Sequence, residues 1–64
     1  MASYNKQIIQ ILKENGCYFV RHGKGDHDIW RSPITNRNVT VDGNIISREL
    51  ANAVMKQSGI GYRF

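Results

Sequence analysis

The residue types of this chain that are best suited to chemistry fall in one short segment, residues 23–28, which reads Gly-Lys-Gly-Asp-His-Asp. Glycines let a phosphate approach the backbone closely, and free N–H groups in such a turn bind anions. Lys24 adds a positive charge, and His27 has the only side chain of the segment whose ordinary pKa, about 6.5, suits proton transfer at neutral pH. The pattern indicates a candidate phosphate site with a proton-transfer group, although composition alone favours a plain hairpin turn with an exposed histidine.

Other kinds of site compete for these residue types. Asp26, His27 and Asp28 are possible metal ligands, but adjacent residues of a strand point to opposite faces, so the three do not easily share one ion. A nucleophilic cysteine needs an adjacent base and an accessible, electropositive setting, whereas Cys17 follows a helix end and is expected to be a small core residue. No serine has the context of a nucleophile elbow, which argues against a Ser-His-Asp triad. We therefore expect neither a metal nor a small-molecule cofactor.

The charge balance favours a polyanionic partner such as nucleic acid. Nine Lys and Arg residues face five Asp and Glu residues, which gives a formal net charge of +4 on 64 residues. Four basic residues lie in or beside the predicted hairpins and are expected to form a positive rim close to His27: Arg21, Lys24, Arg31 and Arg37. A scattered, solvated set of charges is an equal alternative. Tyr18 and Trp30 could stack on bases, but core packing is the favoured role for both.

The length limits the architecture to one domain, expected to span residues 1–64. A chain this short buries only about 60% of its unfolded surface. Its single cysteine excludes an intramolecular disulfide and a thiolate-rich zinc site, so packing must stabilise the fold, which suits the reducing cytoplasm. No apolar run approaches the roughly 20 residues that span a membrane, and no signal peptide is recognisable. A soluble cytoplasmic protein without a membrane partner is expected.

The elements that must position these residues follow from periodicity and turn signals. Apolar residues at spacings of three and four predict a helix over residues 3–15, capped by Ser3 and ended by the left-handed Gly16. Residues 17–22 and 27–31 are predicted strands of a hairpin with a four-residue loop, and residues 39–41 form a third strand. The alternation favours Cys17 and Phe19 as the inward pair of the first strand, although Val20 interrupts it.

A second helix is predicted after Ser47, its N-cap. It is expected to end with Gly59 left-handed and Ile60 folded back on the last turn, before a loose tail over residues 61–64. The order α-β-β-β-α predicts an α+β fold, a two-layer sandwich in which two helices cover one face of a three-stranded antiparallel sheet.

The chain resembles the HicA family of toxins, small ribonucleases that attack messenger RNA and are neutralised by a HicB-type antitoxin. The resemblance covers about residues 4–60, and its pieces follow in order: Gly16 with residues 18–21, Gly25-Asp26-His27, Ser32-Pro33, residues 39–41, and Leu50 with residues 56–60. Family members usually show Gly-Ser-His at the hairpin and use that histidine in catalysis. The resemblance therefore implies that His27 is catalytic, with Asp26 in place of the usual serine, on a fold similar to double-stranded-RNA-binding domains.

These implications define an expected site. His27 would be the general acid or base of metal-independent RNA cleavage, while Lys24 and the N–H groups near Gly23 and Gly25 would stabilise the charged transition state. Arg21, Arg31 and Arg37 would bind the RNA, and His22 or water would handle the second proton. The alternative is a non-catalytic RNA- or protein-binding module on the same fold. A plain duplex binder is disfavoured because residues 47–51, Ser-Arg-Glu-Leu-Ala, lack the expected lysine cluster.

Overall fold

The computed structural model describes residues 3–64 and contains two helices and three strands. In chain order they are α1 (Asn5–Glu14), β1 (Tyr18–His22), β2 (Asp28–Ser32), β3 (Arg37–Val41) and α2 (Arg48–Ser58). The strands form one antiparallel sheet in the order β1-β2-β3, which confirms the predicted α+β fold. Between residues 3 and 64, neither helix combines the length and apolarity that a membrane crossing requires.

Both helices end at the predicted glycines. Gly16 and Gly59 have φ values of +83° and +74°, a left-handed conformation that a side chain would strain. Beyond Gly59, the Ile60 N–H donates to the Met55 carbonyl at 3.0 Å, as in a Schellman ending. The two glycines therefore determine where each helix ends.

The two helix starts differ from one another. Ser47 caps α2 as predicted, and its hydroxyl accepts the Leu50 N–H at 3.4 Å. Ser3 lies just before Tyr4, the assigned N-cap of α1, yet its hydroxyl accepts the Asn5 N–H at 3.3 Å, so the predicted capping contact of Ser3 is present although the assigned helix begins one residue later. The Tyr4 N–H donates to the Ile45 carbonyl at 2.7 Å, so a distant loop also contacts the start of α1.

A single apolar core lies between the helices and the two strands β2 and β3. In these strands the inward side chains alternate as the pleat requires, with Trp30 and Val39 paired across them and both buried. Cys17 is also buried, as predicted, so no accessible thiol is present. The core comprises Ile8, Leu12, Cys17, Trp30, Val39, Val41, Ile45, Ala51, Val54, Met55 and Ile60.

Strand β1 lies at the edge of the sheet, and all five of its residues are exposed. Phe19 faces inward as predicted, since it pairs with the buried Trp30 and its ring packs edge-on against it, but its place on the edge strand leaves it 42% exposed. The interrupted alternation at Val20 has a structural cause, a register shift between Phe19 and Arg21. The core role favoured for Tyr18 is wrong, because its side chain is 56% exposed.

The tail over residues 61–64 is not loose, contrary to prediction. The Phe64 N–H donates to the Asn52 side chain of α2 at 2.7 Å, and the Phe64 ring packs edge-on against Tyr4, with centroids 5.1 Å apart. The tail therefore contacts helix α2 and the residue just before helix α1. Composition alone could not predict this, because each contact joins residues distant in sequence.

Candidate active site

His27 lies in the loop between β1 and β2 rather than at the start of β2. The loop spans residues 23–27, one residue longer than predicted, and the Gly23 N–H closes it by donating to the His27 carbonyl at 2.7 Å. Gly25 has a φ of +66°, which lets the chain turn back so tightly. Because His27 lies outside the strand, the up-and-down alternation of strand side chains does not fix its direction. Its side chain reaches Asp42, just after β3.

The imidazole of His27 lies between two hydrogen-bond acceptors. Its Nδ1 is 2.8 Å from the Lys24 carbonyl oxygen, and its Nε2 is 2.5 Å from Oδ1 of Asp42. A second carboxylate, that of Asp26, lies 3.8 Å from Nδ1. Since a carbonyl and a carboxylate only accept, both ring nitrogens can donate only in the imidazolium form, which these contacts therefore favour.

The same contacts raise the pKa of His27 above its usual 6.5. The hydrogen bond to the Lys24 carbonyl contributes most; desolvation opposes it, and the Asp42 and Asp26 charges add to the rise. A partly exposed imidazole whose protonated form is favoured can act as a proton donor. The arrangement therefore suits general acid catalysis better than general base catalysis.

Asp42 is a site residue that the sequence did not reveal, and helix α1 holds it in place. Asn5, the first residue of α1, donates from Nδ2 to the Asp42 carbonyl at 2.6 Å and accepts the Ile45 N–H at 2.7 Å. One amide thus fastens both ends of the segment 42–45. In the sequence, Asp42 marks only the end of a strand, and its proximity to His27 depends on the register that pairs Asp28 with Val41.

The two turns that carry the site pack tightly against each other. A Cβ at Gly43 would lie 2.8 Å from the Asp26 carbonyl oxygen and 2.9 Å from its Oδ2. Any side chain at position 43 would therefore push the loop 23–27 away from the segment 42–45. Gly43 provides the close approach that brings Asp42 to His27.

Anion-binding groups are present at the loop, but not all those expected. The Gly23 N–H is not free to bind a phosphate as expected, because it already donates to the His27 carbonyl. Within residues 3–64, no hydrogen bond engages the N–H groups of Lys24, Gly25 and Asp26, and the Lys24 side chain is exposed. These groups form the part of the loop that can face a phosphate.

The four arginine and lysine residues expected beside His27 are separated by the sheet. Lys24 is in the same loop, and Arg21 lies near that end of β1. Arg31 and Arg37 lie toward the far ends of β2 and β3, since the strand ends nearest the loop are Asp28 and Val41. The expectation of one positive rim is therefore wrong for the latter two arginines.

Arg31 belongs instead to the sheet face that the helices leave open. It pairs with Tyr18 on one side, and its guanidinium donates to Asn36 at 2.8 Å and to Asn38 at 3.2 Å. Paired residues of antiparallel strands share a face, and the face of Trp30 is the buried one. The open face thus presents an ordered guanidinium beside an exposed aromatic ring.

The aspartates on either side of His27 serve different partners. Asp26 lies beside His27, whereas Asp28 Oδ1 is 2.8 Å from Nδ1 of His22, whose side chain is 84% exposed. In the described part of the chain, no three His, Cys, Asp or Glu residues are grouped so as to hold a metal ion. The site consists of a paired histidine with anion-binding groups beside it.

The match to a known protein family covers this arrangement apart from Asn5. The family model for the HicA toxin of bacterial toxin-antitoxin systems matches residues 6–60, which include the loop 23–27, the segment 42–45 and all three strands. No curated protein and no solved structure matches the chain significantly. The family match extends over most of the 64 residues, and the chain therefore belongs to the HicA toxin family.

Proposed function

We propose that this toxin is a metal-independent endoribonuclease that cleaves messenger RNA in the cytoplasm, with His27 as its catalytic residue. The observation that carries the proposal is the imidazole ring of His27, held between the Lys24 carbonyl and the Asp42 carboxylate at a partly exposed loop. RNA supplies its own nucleophile, the 2′-hydroxyl. The protein then needs to supply only proton transfer and charge stabilisation, which one histidine and a phosphate-binding loop provide.

The two acceptors that face the ring support a role as a proton donor. The 2′-oxygen attacks phosphorus, the bond from phosphorus to the 5′-oxygen breaks, and His27 donates its Nε2 proton to the departing 5′-oxygen. The products are a 2′,3′-cyclic phosphate and a 5′-hydroxyl end. A positioned acid of this kind contributes about 10²–10⁴-fold to the rate. The 2′-hydroxyl proton passes to water or to His22, which stands at the end of β1.

Lys24 and the loop backbone support charge on the phosphate. The Lys24 ammonium and the N–H groups of residues 24–26 face solvent beside His27, where the equatorial phosphate oxygens gain charge in the transition state. Arg21 and Arg31 would contact phosphates along the open sheet face, with Tyr18 available for stacking on a base. Arg37 would contact only an RNA that extends to the far end of the sheet.

The family implies an antitoxin, and we propose a HicB-type protein that covers the His27 loop. A toxin of net charge +4 is complementary to an acidic partner surface, and such complementarity speeds association. Charge reversal by Lys24→Glu should then weaken antitoxin binding as well as RNA binding. Unchanged antitoxin affinity in this variant would place the partner elsewhere on the toxin.

Induced expression tests the proposal in cells. Wild type should arrest growth and degrade messenger RNA, whereas His27→Ala should do neither while remaining folded. His22→Ala is the matched variant, because His22 also pairs with an aspartate, and it resolves the second proton. Full activity without His22 would assign that proton to water. Growth arrest by His27→Ala would refute the catalytic assignment.

One observation favours the second candidate, a non-catalytic binding module. The carboxylates of Asp26 and Asp42 both lie beside His27 and oppose a phosphate there. A binding module would bind RNA equally well with and without His27 and would lose that binding as salt rises, since phosphate contacts are screened. Cleavage that depends on His27 would exclude it.

A further inference from the structure

We propose that Asp42 is the positioning residue of His27, and that the RNA displaces its carboxylate from Nε2 on binding; this inference rests on the proposed ribonuclease function. The juxtaposition of two turns from distant parts of the chain carries it. Asp42 follows β3, whereas His27 precedes β2, and their side chains meet at 2.5 Å. Nothing in the loop 23–27 itself requires this contact.

The two ring nitrogens of His27 differ in the kind of group that they contact. Nδ1 contacts the Lys24 carbonyl of its own loop at 2.8 Å, so a backbone group occupies that nitrogen. Nε2 faces only a side chain, the carboxylate of Asp42. Nε2 is therefore the nitrogen that can exchange its partner for a substrate oxygen. Asp42 holds the ring in the orientation that this exchange needs.

The carboxylate of Asp42 can move although its backbone cannot. The Asp42 carbonyl accepts the Asn5 side chain at 2.6 Å, which fastens the main chain to α1. The Asp42 side chain is 44% exposed, so a rotation about its own bonds carries the carboxylate into solvent. Displacement thus requires no unfolding of the segment 42–45.

The charges around the ring make the displacement necessary. The groups that face His27 are the Lys24 carbonyl and the Asp26 carboxylate from its own loop and the Asp42 carboxylate from the segment 42–45. When His27 is protonated, its single positive charge faces these two carboxylates. A phosphate brought to Nε2 would meet the Asp42 carboxylate, and like charges at such distances repel. Asp42 therefore favours the protonated ring in the free toxin but opposes RNA binding.

These opposing effects predict that loss of the Asp42 charge strengthens RNA binding but lowers the pKa of His27. A residue with only a structural role would not produce both changes. In Asp42→Asn, RNA should bind about 3–10-fold more tightly, the size expected for removal of one partly exposed charge. The pKa of His27 should fall in the free protein, so the alkaline limb of the kcat/KM profile should move to lower pH. The alkaline limb of kcat should stay in place, because RNA has already displaced Asp42 in the complex.

The experiment combines three measurements on the full chain. NMR titration of the His27 ring gives its pKa, fluorescence anisotropy with a 2′-O-methyl oligonucleotide gives affinity without cleavage, and a cleavable RNA gives the pH profiles. Glu14→Gln removes the same charge at the exposed end of α1 and is the matched control. Asp42→Glu keeps the charge and should restore both the pKa and the weaker binding.

The outcomes separate this inference from the proposed function. An unchanged His27 pKa in a folded Asp42→Asn, or RNA binding no tighter than in Glu14→Gln, would overturn it. Should Asp42→Asn fail to fold, a pKa of His27 in Asp42→Glu equal to that of an exposed histidine would also overturn it. Predicted shifts in pKa and affinity without any cleavage by wild type would instead refute the ribonuclease and leave the role of Asp42 in binding established.

Discussion

Substitution of Asn5 by alanine tests whether α1 holds the site together. The side chain makes two hydrogen bonds, from Nδ2 to the Asp42 carbonyl at 2.6 Å and from the Ile45 N–H to Oδ1 at 2.7 Å. Both are partly buried, and each contributes about 0.5–1.5 kcal/mol net. We expect a loss of about 1–3 kcal/mol in the free energy of unfolding, reduced slightly by the higher helix propensity of alanine.

Urea unfolding and thermal melting measure this loss. For a domain of this size, each kcal/mol corresponds to a fall of about 4–8 °C in the midpoint. Gln10→Ala, at an exposed position of the same helix, is the control and should change stability by less than about 0.5 kcal/mol. Asn5→Asp keeps the acceptor for Ile45 but loses the donor to Asp42, so it should fall between the two.

The result that would refute the reasoning is an Asn5→Ala protein as stable as Gln10→Ala. The segment 42–45 would then be held by its other contacts, and α1 would have no part in placing Asp42. A destabilised Asn5→Ala with an unchanged His27 pKa would show that the fastening is structural only. The NMR titration of His27 in this variant therefore belongs with the unfolding measurement.

Three further perturbations test other parts of the structure. In wild type the buried Ser32 hydroxyl donates to the Ser58 carbonyl at 2.6 Å, and Ser32→Ala removes this donor. The free energy of unfolding measured in urea should fall by about 1–3 kcal/mol, without loss of cleavage. Gly59→Ala forces a side chain into φ +74° and within 2.8 Å of two side chains of the β2–β3 turn, so it should cost more than about 1 kcal/mol, whereas Gly61→Ala, in open space, should change little. The raised pKa of His27 contributes stability below pH 6.5 that is lost as pH rises through the folded-state value; unfolding measured from pH 5 to 9 should show this decline in wild type and not in His27→Ala.

The sequence predicted the parts of the fold that depend on neighbouring residues. Gly16 and Gly59 end the helices because only glycine adopts their backbone conformation without strain, and this is a local property. The order of strands and helices likewise follows from local periodicity. The loop that carries Lys24 and His27 was found in the same way, by residue types within six positions.

The parts that the sequence did not predict depend on contacts between distant residues. Asn5 and Asp42 are 37 positions apart, and only the sheet register and the start of α1 bring them together. The exposure of β1 depends on which strands the helices cover. Arg31 and Arg37 were expected near His27 because they lie close in sequence, but the strand direction carries them to the far end of the sheet.

The most direct test of the central claim is cleavage of a defined RNA by purified toxin in the presence of EDTA. Wild type should produce 2′,3′-cyclic phosphate ends, with a rate that falls as pH rises through the raised pKa of His27. His27→Ala should be at least about 100-fold slower at pH values below that pKa, where the wild-type ring is protonated. Cleavage that survives this substitution, or that requires a divalent metal, would contradict the account.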